Sequence, residues 1–282
     1  MQLANEAMTL GLIAGAGSLP IEAARLLRGR GYALSAIGFS GLTDSALEKE
    51  VGESRWLRLG RLEAMAEALR EMGVQRLVLV GKVPKALLFV ERGIAEPDAE
   101  AIRLLSEQRD RGDEPLMRAL ARWLEGRGFQ LCDQAEMLAP MLAPLGPLSA
   151  RSPCQTELDD LEFGWPVLQQ LGRIGIGQCV VVKHGSVLAV EAIEGTDAVI
   201  RRAGELGGAG ATVIKASRPE QDRRFDLPAV GVGTIDTMCA SGASGLAIES
   251  GSTLVLDQTK MIEAADRANI AVWGFSADRI RR

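Results

Sequence analysis

The stretch TLGLIAGAGSLPIEAARLLRGRGYALSAIGF, residues 9–39, contains the pattern that decides the fold of the first half of the chain. The apolar run Thr9–Ala14 predicts a buried strand, and Pro20–Arg28 has the apolar spacing and initial proline of a helix. A second apolar run, Ala33–Gly38, predicts the next strand. Because strand, helix and strand follow one another closely, the stretch predicts a parallel β-α-β unit.

The same alternation continues to about residue 132. Further helices are predicted at Glu63–Met72, Asp98–Arg109 and Glu114–Glu125, with strands at Arg76–Val80 and Phe129–Cys132. The alternation predicts an α/β fold in which a parallel sheet has helices on both faces.

A second α/β segment follows a proline-rich stretch. Residues 137–153 contain four prolines and little charge, which is typical of an interdomain linker. Beyond it the pattern predicts helices at Leu158–Gly172, Thr196–Leu206, Asp236–Ala240 and Lys260–Ala268, and strands at Gln178–Lys183, Val187–Val190, Thr212–Lys215, Thr253–Leu256 and Ile270–Trp273, with one more after Pro228. The first two of these strands read as a hairpin that turns at His184–Gly185. We therefore predict two domains, at 1–140 and 157–282, joined by a linker at 141–156.

Composition narrows the function classes. The 282 residues are 47% apolar and 24% charged, with a net charge of −5. Proteins that bind nucleic acid through its phosphates usually carry an excess of basic residues, so we predict no nucleic-acid partner.

The chain has four widely spaced cysteines and a single histidine, His184, which is too few for a Cys/His zinc site. Free cysteines are typical of a reducing cytoplasm.

The sequence also predicts no targeting or membrane-spanning segment. Met1–Leu10 has no basic stretch followed by an apolar run, as a signal peptide would. The most apolar stretch, Leu77–Val90, is interrupted by glycine, proline and lysines, whereas a spanning helix needs about 20 apolar residues. We expect a cytoplasmic protein that at most lies on the inner face of the inner membrane.

Two glycine-containing loops follow predicted strands. Gly15-Ala-Gly-Ser-Leu-Pro20 opens a helix, where backbone N–H groups are able to hold a phosphate, but a tight turn that touches nothing explains it equally. The loop does not match a dinucleotide-binding fingerprint. That pattern needs a third glycine where Pro20 stands and an acidic residue at the end of the second strand, where Ile37–Ser40 has none. Gly81 and Lys82 follow the third strand, at the edge where α/β sheets bind ligands. A solvated lysine is the alternative there.

Two acidic motifs have both a structural and a chemical interpretation. Asp113 stands between two predicted helices, where capping the second helix would explain it without any function. Glu191 and Glu194-Gly195-Thr196-Asp197 follow a strand and open a helix, which suits capping. Carboxylates and a hydroxyl at a strand end would also suit Mg²⁺ or an oriented water.

The most informative segment is Arg223-Arg-Phe-Asp-Leu-Pro228. Two arginines precede one carboxylate, and a proline then restricts the chain. Arginine suits phosphate oxygens, and Asp226 suits Mg²⁺ or a proton-accepting role. Lys215, at the end of the preceding strand, is a further candidate cation. A surface salt bridge within a loop is the alternative.

An ordered set of motifs carries a resemblance to a known family: Gly11–Pro20, Gly-Lys-Val-Pro at 81–84, Arg-Gly-Asp-Glu at 111–114, Val187–Asp197, Lys215-Ala216 and Arg224–Gly231. Together they resemble the LpxI family of UDP-2,3-diacylglucosamine pyrophosphatases, over about residues 9–275. Arg-Gly-Asp-Glu stands where the family commonly has Lys-Gly-Asp-Asp. The departure keeps the positive first position, so it affects fine geometry more than the reaction.

The resemblance implies a Mg²⁺-dependent hydrolase with a Rossmann-like N-terminal domain and a C-terminal catalytic domain. It implies that UDP-2,3-diacylglucosamine is cut to UMP and 2,3-diacylglucosamine 1-phosphate (lipid X) in lipid A biosynthesis. The family's essential aspartate falls on Asp226, which is also the candidate metal ligand. With the motifs above, the candidate catalytic residues are Asp226, Asp197 and Lys215. The candidate substrate-binding residues are Gly15, Gly17, Ser18, Gly81, Lys82, Asp113, Glu194, Thr196 and Arg224.

The expected partners are UDP-2,3-diacylglucosamine and the surface of the inner membrane, with a homodimer among the alternatives for the oligomeric state. Ala86–Val90 and Met137–Leu142 are candidate contacts for acyl chains, or else ordinary core. Two other functions stay open: a different nucleotide-sugar or NAD enzyme, and a non-catalytic nucleotide- or lipid-binding module.

Overall fold

A computed structural model describes residues 9–83, 94–107 and 113–280. The chain divides into two compact units. The first unit extends to Leu138 and also includes Asp222–Asp226, and the second comprises Ala139–Gln221 and the chain from Leu227 onward. Residues 139–156 therefore belong to the second unit, where Gly146–Pro147 forms an edge strand.

The first unit is a parallel sheet with connecting helices. In chain order its elements are β1 (Leu10–Ala14), α1 (Leu19–Gly29), β2 (Leu34–Phe39), a 3-10 turn (Ser45–Glu50), β3 (Glu53–Leu57), α2 (Leu62–Glu71), β4 (Arg76–Val80), α3 (Ala99–Glu107), α4 (Asp113–Glu125), β5 (Gln130–Leu131) and α5 (Gln134–Met137). The strand order is β3-β2-β1-β4-β5, and every neighbouring pair is parallel. The predicted parallel sheet is confirmed.

The central strands of this sheet are buried on both faces. Every residue of β1 and β2 is buried, which is why each reads as a continuous apolar run rather than an alternating one. A proline in the first turn of α1 suits the helix start, since the missing N–H has no partner there. The sequence pattern and the burial thus agree at the centre of the sheet.

The second unit contains a mixed sheet. In chain order its elements are β6 (Gly146–Pro147), α6 (Gln155–Arg173), β7 (Cys179–Lys183), β8 (Ser186–Val190), α7 (Thr196–Gly207), β9 (Thr212–Lys215), β10 (Ala229–Val230), α8 (Val232–Ser241), β11 (Gly245–Glu249), β12 (Leu254–Val255), α9 (Gln258–Arg267) and β13 (Ala271–Phe275). The sheet order is β6-β13-β11-β9-β7-β8, with β13, β11 and β9 parallel. The predicted hairpin is confirmed as the antiparallel pair β7–β8.

Besides β6, which lies in the predicted linker, two strands have no counterpart in the sequence prediction. Strand β3 lies at the sheet edge with Glu53 and Arg55 exposed, so it lacks an apolar run. Strand β11 is central in its sheet but begins with glycine and carries alanine, neither of which favours a strand. Its Gly245 is tightly packed, since an added Cβ would lie 3.1 Å from a Glu157 carboxylate oxygen and 3.2 Å from the Trp273 ring. Tertiary packing decides this strand.

The carboxyl edge of the second sheet is marked by two charged residues. Lys215 ends β9 and Glu249 ends the neighbouring strand β11. Because β7 runs antiparallel to β9 with Cys179 opposite Lys215, the start of β7 and the end of β8 lie at this same edge. Parallel α/β sheets bind ligands at this edge.

Candidate functional site

The first candidate cluster is the glycine turn after β1. Gly15 donates its N–H to Val80, and Ala16 and Lys82 exchange two backbone hydrogen bonds of 2.7 and 3.0 Å. An added Cβ on Gly15 would lie 2.5 Å from the Lys82 carbonyl oxygen, so only glycine permits this approach. Gly81 also approaches the turn closely, with its Cβ position 2.8 Å from the Ala16 carbonyl oxygen.

The exposed part of that turn is the start of α1. Gly17 has a φ of 93° and no atom within 4 Å of its Cβ position, so its backbone faces open space. Ser18 is exposed, and its hydroxyl makes no capping hydrogen bond. Lys82 is exposed beside them. The structure therefore brings together Gly15, Gly17, Ser18, Gly81 and Lys82, which the sequence proposed as binding residues.

A segment from late in the sequence belongs to this same unit. The Arg223 carbonyl accepts a 2.9 Å hydrogen bond from the Gln134 N–H, and the Gln134 side chain donates to the carbonyl of Leu79 at 2.7 Å. Phe225 is only 2% exposed and lies in the core of the first unit. Asp222–Asp226 is thus tied to the ends of β4 and β5, within a few residues of Gly81 and Lys82.

Asp226 is held in an unusual backbone conformation. Its φ is 58°, in the left-handed region that few residues other than glycine, asparagine and aspartate adopt. Its neighbours Phe225 and Leu227 are both buried, whereas Asp226 is exposed. Strain of this kind persists only where the surroundings enforce it, and it is frequent at functional sites. Asp226 is thus an exposed residue in a restricted backbone conformation between two buried neighbours.

Arg224 is engaged by carboxylates. Its guanidinium makes a bidentate contact with Asp222 at 2.9 and 2.7 Å and a further contact with Glu125 at 2.5 Å. Hydrogen bonds from Arg224 lower the pKa of Asp222, although burial opposes the effect. The alternative of a salt bridge within a loop therefore has direct geometric support, and the phosphate-binding role of Arg224 stays a prediction.

The second candidate cluster lies in the second unit and is buried. Lys215 is 4% exposed, and its ammonium donates to the Thr196 hydroxyl at 2.9 Å and to the Ala229 carbonyl at 2.8 Å. The Thr196 hydroxyl donates in turn to the Glu191 carboxylate at 2.8 Å. The structure thus brings together Lys215 and Thr196. It adds Glu191, for which the sequence offered capping or Mg²⁺ and water binding but which was not among the candidate site residues.

Glu194 and Asp197 are close in sequence to Thr196 but, unlike Lys215 and Glu191, they are exposed. Glu194 is exposed and pairs with Arg202 at 2.7 Å, which helps to lower its pKa after the larger effect of its own backbone N–H. Asp197 is exposed in the first turn of α7, where a carboxylate favours the helix dipole. Neither makes a described hydrogen bond to Lys215.

Some predicted positions fall outside what the structure describes. Asp113 begins α4, and only its backbone is described. Ala86–Val90 lies outside the described residues. In the other candidate acyl contact, Met137 and Leu138 are buried at 4% and 0% exposure, as core residues are.

Sequence reasoning missed a second carboxylate at the edge of the second sheet. Glu249 accepts a 2.9 Å hydrogen bond from the N–H of Ser217, two residues after Lys215. Burial raises the pKa of Glu249. The strand β11 that carries it was itself not predicted, so no sequence signal placed this carboxylate at the edge.

The residues present fit one kind of magnesium site. In the part of the chain that the structure describes, no three His, Cys, Asp or Glu side chains are grouped to hold a metal. A cage made by the protein alone is therefore not what these residues offer. Mg²⁺ commonly takes one or two carboxylates and completes its shell with substrate phosphates and water. The exposed Asp226 carboxylate fits that arrangement.

Among the helices of the described ranges, none is both long and apolar enough to cross a bilayer.

The fold and these residues define a class: an α/β protein of two units, each with chemically distinctive residues at the carboxyl ends of parallel strands. The LpxI N-terminal domain matches residues 9–141, and the LpxI C-terminal domain matches residues 144–273. The chain belongs to the LpxI family.

A curated relative agrees with this assignment. The chain is 33% identical over 276 residues to a Caulobacter vibrioides protein named UDP-2,3-diacylglucosamine pyrophosphatase LpxI. The match covers 94% of this chain and 96% of the relative. The family expected from the sequence motifs is confirmed.

Solved structures show only distant likeness. Glycinamide-RNase-transformylase T from Mycobacterium tuberculosis is 21% identical over 49% of this chain, with a TM-score of 0.23. The ADP complex of N5-carboxyaminoimidazole ribonucleotide synthetase is 12% identical over 73% of this chain, with a TM-score of 0.27. The matches cover 37% and 46% of those two chains, so this chain spans less than half of each.

Proposed function

We propose that this protein hydrolyses the pyrophosphate bond of UDP-2,3-diacylglucosamine, as the name of its Caulobacter relative describes for that protein. The products are UMP and 2,3-diacylglucosamine 1-phosphate, and the reaction belongs to lipid A biosynthesis. The observation that carries the proposal is the exposed Asp226 carboxylate on a left-handed backbone between two buried neighbours. Such a group is preorganised before any substrate arrives.

The proposed chemistry is attack of water on phosphorus. A P–O bond of the diphosphate breaks, and the proton of the attacking water passes to a base. Asp226 either accepts that proton or holds Mg²⁺, which when bound neutralises phosphate charge and lowers the cost of attack. A positioned general base contributes about 10²–10⁴-fold to the rate.

The other candidate residues bind and orient the substrate. Open backbone at Gly17 and Ser18, at a helix start, suits phosphate oxygens, and Lys82 adds a positive charge beside it. We propose Lys215, Asp197, Glu194, Arg224 and Asp113 as further contributors, and Thr196 through its hydrogen bond with Lys215. The protein is proposed to act in the cytoplasm, on the inner face of the inner membrane, and a homodimer stays a prediction.

The direct test is release of UMP from UDP-2,3-diacylglucosamine, measured with Mg²⁺ and with EDTA. We expect release with Mg²⁺ and its loss in EDTA, restored by excess Mg²⁺. Turnover that is unchanged in EDTA would remove the metal from the proposal. Running the reaction in H₂¹⁸O and finding which product carries the label identifies the phosphorus attacked.

The same preparation tests the two alternatives. A Rossmann-type NAD enzyme would bind NADH, and a fluorescence titration measures this directly. A carrier module would bind the lipid substrate and release no UMP. Binding without release, in the presence of Mg²⁺, would overturn the hydrolase proposal in favour of the carrier.

A further inference from the structure

A chain of hydrogen bonds links a buried cation to a buried anion in the second unit. The Lys215 ammonium contacts the Thr196 hydroxyl at 2.9 Å, and that hydroxyl contacts a Glu191 carboxylate oxygen at 2.8 Å. The second carboxylate oxygen accepts from the N–H of Gln178 at 3.1 Å. Lys215 is 4% exposed and Glu191 is 8% exposed. Two opposite charges are therefore withdrawn from water and connected through one hydroxyl.

The chemistry of the three groups fixes the direction of these bonds. An ammonium only donates and an ionised carboxylate only accepts. The Thr196 hydroxyl must therefore accept from Lys215 and give its single proton to Glu191. It has no proton left for a ligand, so it connects the two charges rather than acting as a donor to substrate.

Burial makes this connection necessary. A lysine withdrawn from water tends to lose its proton unless a counter-charge or fixed acceptors stabilise the ammonium. Removing one partner of a buried ion pair leaves the other uncompensated, at a large cost. The Ala229 carbonyl, at 2.8 Å, stabilises one N–H of Lys215 but supplies no charge. Through Thr196, Glu191 supplies the negative charge.

Other titratable groups surround Lys215. Cys179 lies opposite it on β7, and burial, the largest cause, together with Glu191 raises the pKa of that thiol. Asp197 follows Thr196 on α7, and Glu249 ends the adjacent strand β11, where Ile248 is the residue paired with Lys215. Of these groups, only Glu191 is joined to Lys215 by the described hydrogen bonds through Thr196.

We propose that Glu191 is a positioning residue, which acts through Thr196 to keep the Lys215 ammonium charged and oriented at the carboxyl edge of the second sheet. The value of that ammonium for catalysis rests on the proposed function. The link between Glu191 and Lys215 does not, so the two are tested by different measurements.

The first measurement follows Lys215 itself, without turnover. ¹⁵N-lysine labelling and a ¹H–¹⁵N correlation spectrum detect hydrogen-bonded ammonium groups, and loss of one signal in Lys215→Arg assigns it. We expect Glu191→Gln to lower the pH midpoint of Lys215 deprotonation by at least about one unit, since the counter-charge is gone. Thr196→Val should shift it in the same direction, and Thr196→Ser should restore the wild-type midpoint.

The matched control is Glu205→Gln, which removes a carboxylate from the exposed surface of α7. It should leave the Lys215 midpoint unchanged. An unchanged midpoint in both Glu191→Gln and Thr196→Val would overturn the proposal. Thr196→Val alone decides the question if Glu191→Gln does not fold.

The second measurement is the pH profile of kcat/KM for UMP release. If Lys215 acts as a cation in the reaction, the alkaline limb of the kcat/KM profile moves to lower pH in Glu191→Gln. The shift should equal the shift of the Lys215 midpoint measured by NMR. A shifted midpoint in a protein whose wild type releases no UMP would leave the positioning role intact and refute the proposed function. A shifted midpoint with an unmoved kcat/KM profile would refute the role of Glu191 in the reaction.

Discussion

The two units place different chemistry at the carboxyl edges of their sheets. In the first unit, the turn at Gly15 and Gly81 is built by backbone hydrogen bonds, and Lys82 is exposed beside it. In the second unit, buried side chains build the edge: Lys215 bonds through Thr196 to Glu191. A backbone site requires glycine where chains approach closely, whereas a side-chain site requires every buried charge to have a partner.

Because of this difference, we expect the two edges to be sensitive to different substitutions. One added methyl group at Gly15 should disturb the backbone turn, because it would meet backbone atoms rather than the end of a flexible side chain. The side-chain network should instead be sensitive to the loss of a charge or of the Thr196 hydroxyl proton. Asp226 combines both features, since its backbone has a positive φ and the role proposed for it depends on its carboxylate.

The largest effect is expected at Asp226. Asp226→Asn keeps a residue that accepts a positive φ and removes the charge. We expect kcat for UMP release to fall at least about 100-fold, with substrate binding and the melting temperature near wild type. Steady-state kinetics and a thermal melt measure this. The control is Asp278→Asn, an exposed aspartate in a 3-10 turn near the C-terminus. Near-normal turnover in Asp226→Asn would exclude it from the mechanism.

The second largest effect is expected at the glycine turn after β1. Gly15→Ala would place its Cβ 2.5 Å from the Lys82 carbonyl oxygen, so the turn must shift. We expect a loss of about 3 kcal/mol in the free energy of unfolding, at the upper end of overpacking costs. Gly17→Ala meets open space but keeps a positive φ, and should cost about 1 kcal/mol. Urea denaturation compares the two. Equal losses would show that close approach does not govern this turn.

Variants at Arg224 and Asp222 test whether Arg224 anchors its own loop or binds the substrate phosphates. Arg224→Ala removes both its ion pairs and any contact with diphosphate, and we expect kcat/KM to fall about tenfold, equivalent to about 1.4 kcal/mol. Asp222→Asn weakens the bidentate ion pair but leaves the guanidinium in place. If Arg224 binds phosphate, Asp222→Asn should keep most of the activity. An equal loss in both variants would assign Arg224 to anchoring the loop alone.

The smallest effect is a pH dependence from Glu249. Burial raises its pKa above the ordinary 4.5, so the folded chain holds this proton more tightly than the unfolded chain. As pH rises from about 4.5 to the folded pKa, wild type therefore loses free energy of unfolding. Glu249→Gln cannot lose a proton and should gain stability relative to wild type across that window, by about 1 kcal/mol or less.

Thermal melts at pH 4 and pH 7.5 check the Glu249 prediction. The exposed Glu263→Gln serves as the matched control and should show no such trend. A gap between Glu249→Gln and wild type that shrinks as pH rises would contradict the sign of the predicted dependence.

Much of the architecture follows from local pattern. The continuous apolar runs at β1, β2 and β4 and the helix signals between them predict a parallel sheet, which the structure has. Strand β11 escapes such reasoning, since glycine and alanine signal no strand until Glu157 and Trp273 pack against them. Local propensity is a weak guide wherever the neighbours supply the stabilisation.

The sequence by itself determined the α/β class, the glycine turn after β1 and the motifs of the LpxI family, because each depends on residues close together in the chain. Tertiary structure alone decided that Asp222–Asp226 packs with the first unit, and that Glu191 meets Lys215 through Thr196. Burial of Phe225 stabilises the packing of Asp222–Asp226 with the first unit. The need to compensate a buried ammonium stabilises the link from Glu191 to Lys215. Both are interactions between residues distant in sequence, and no local pattern encodes which partner a buried side chain will meet.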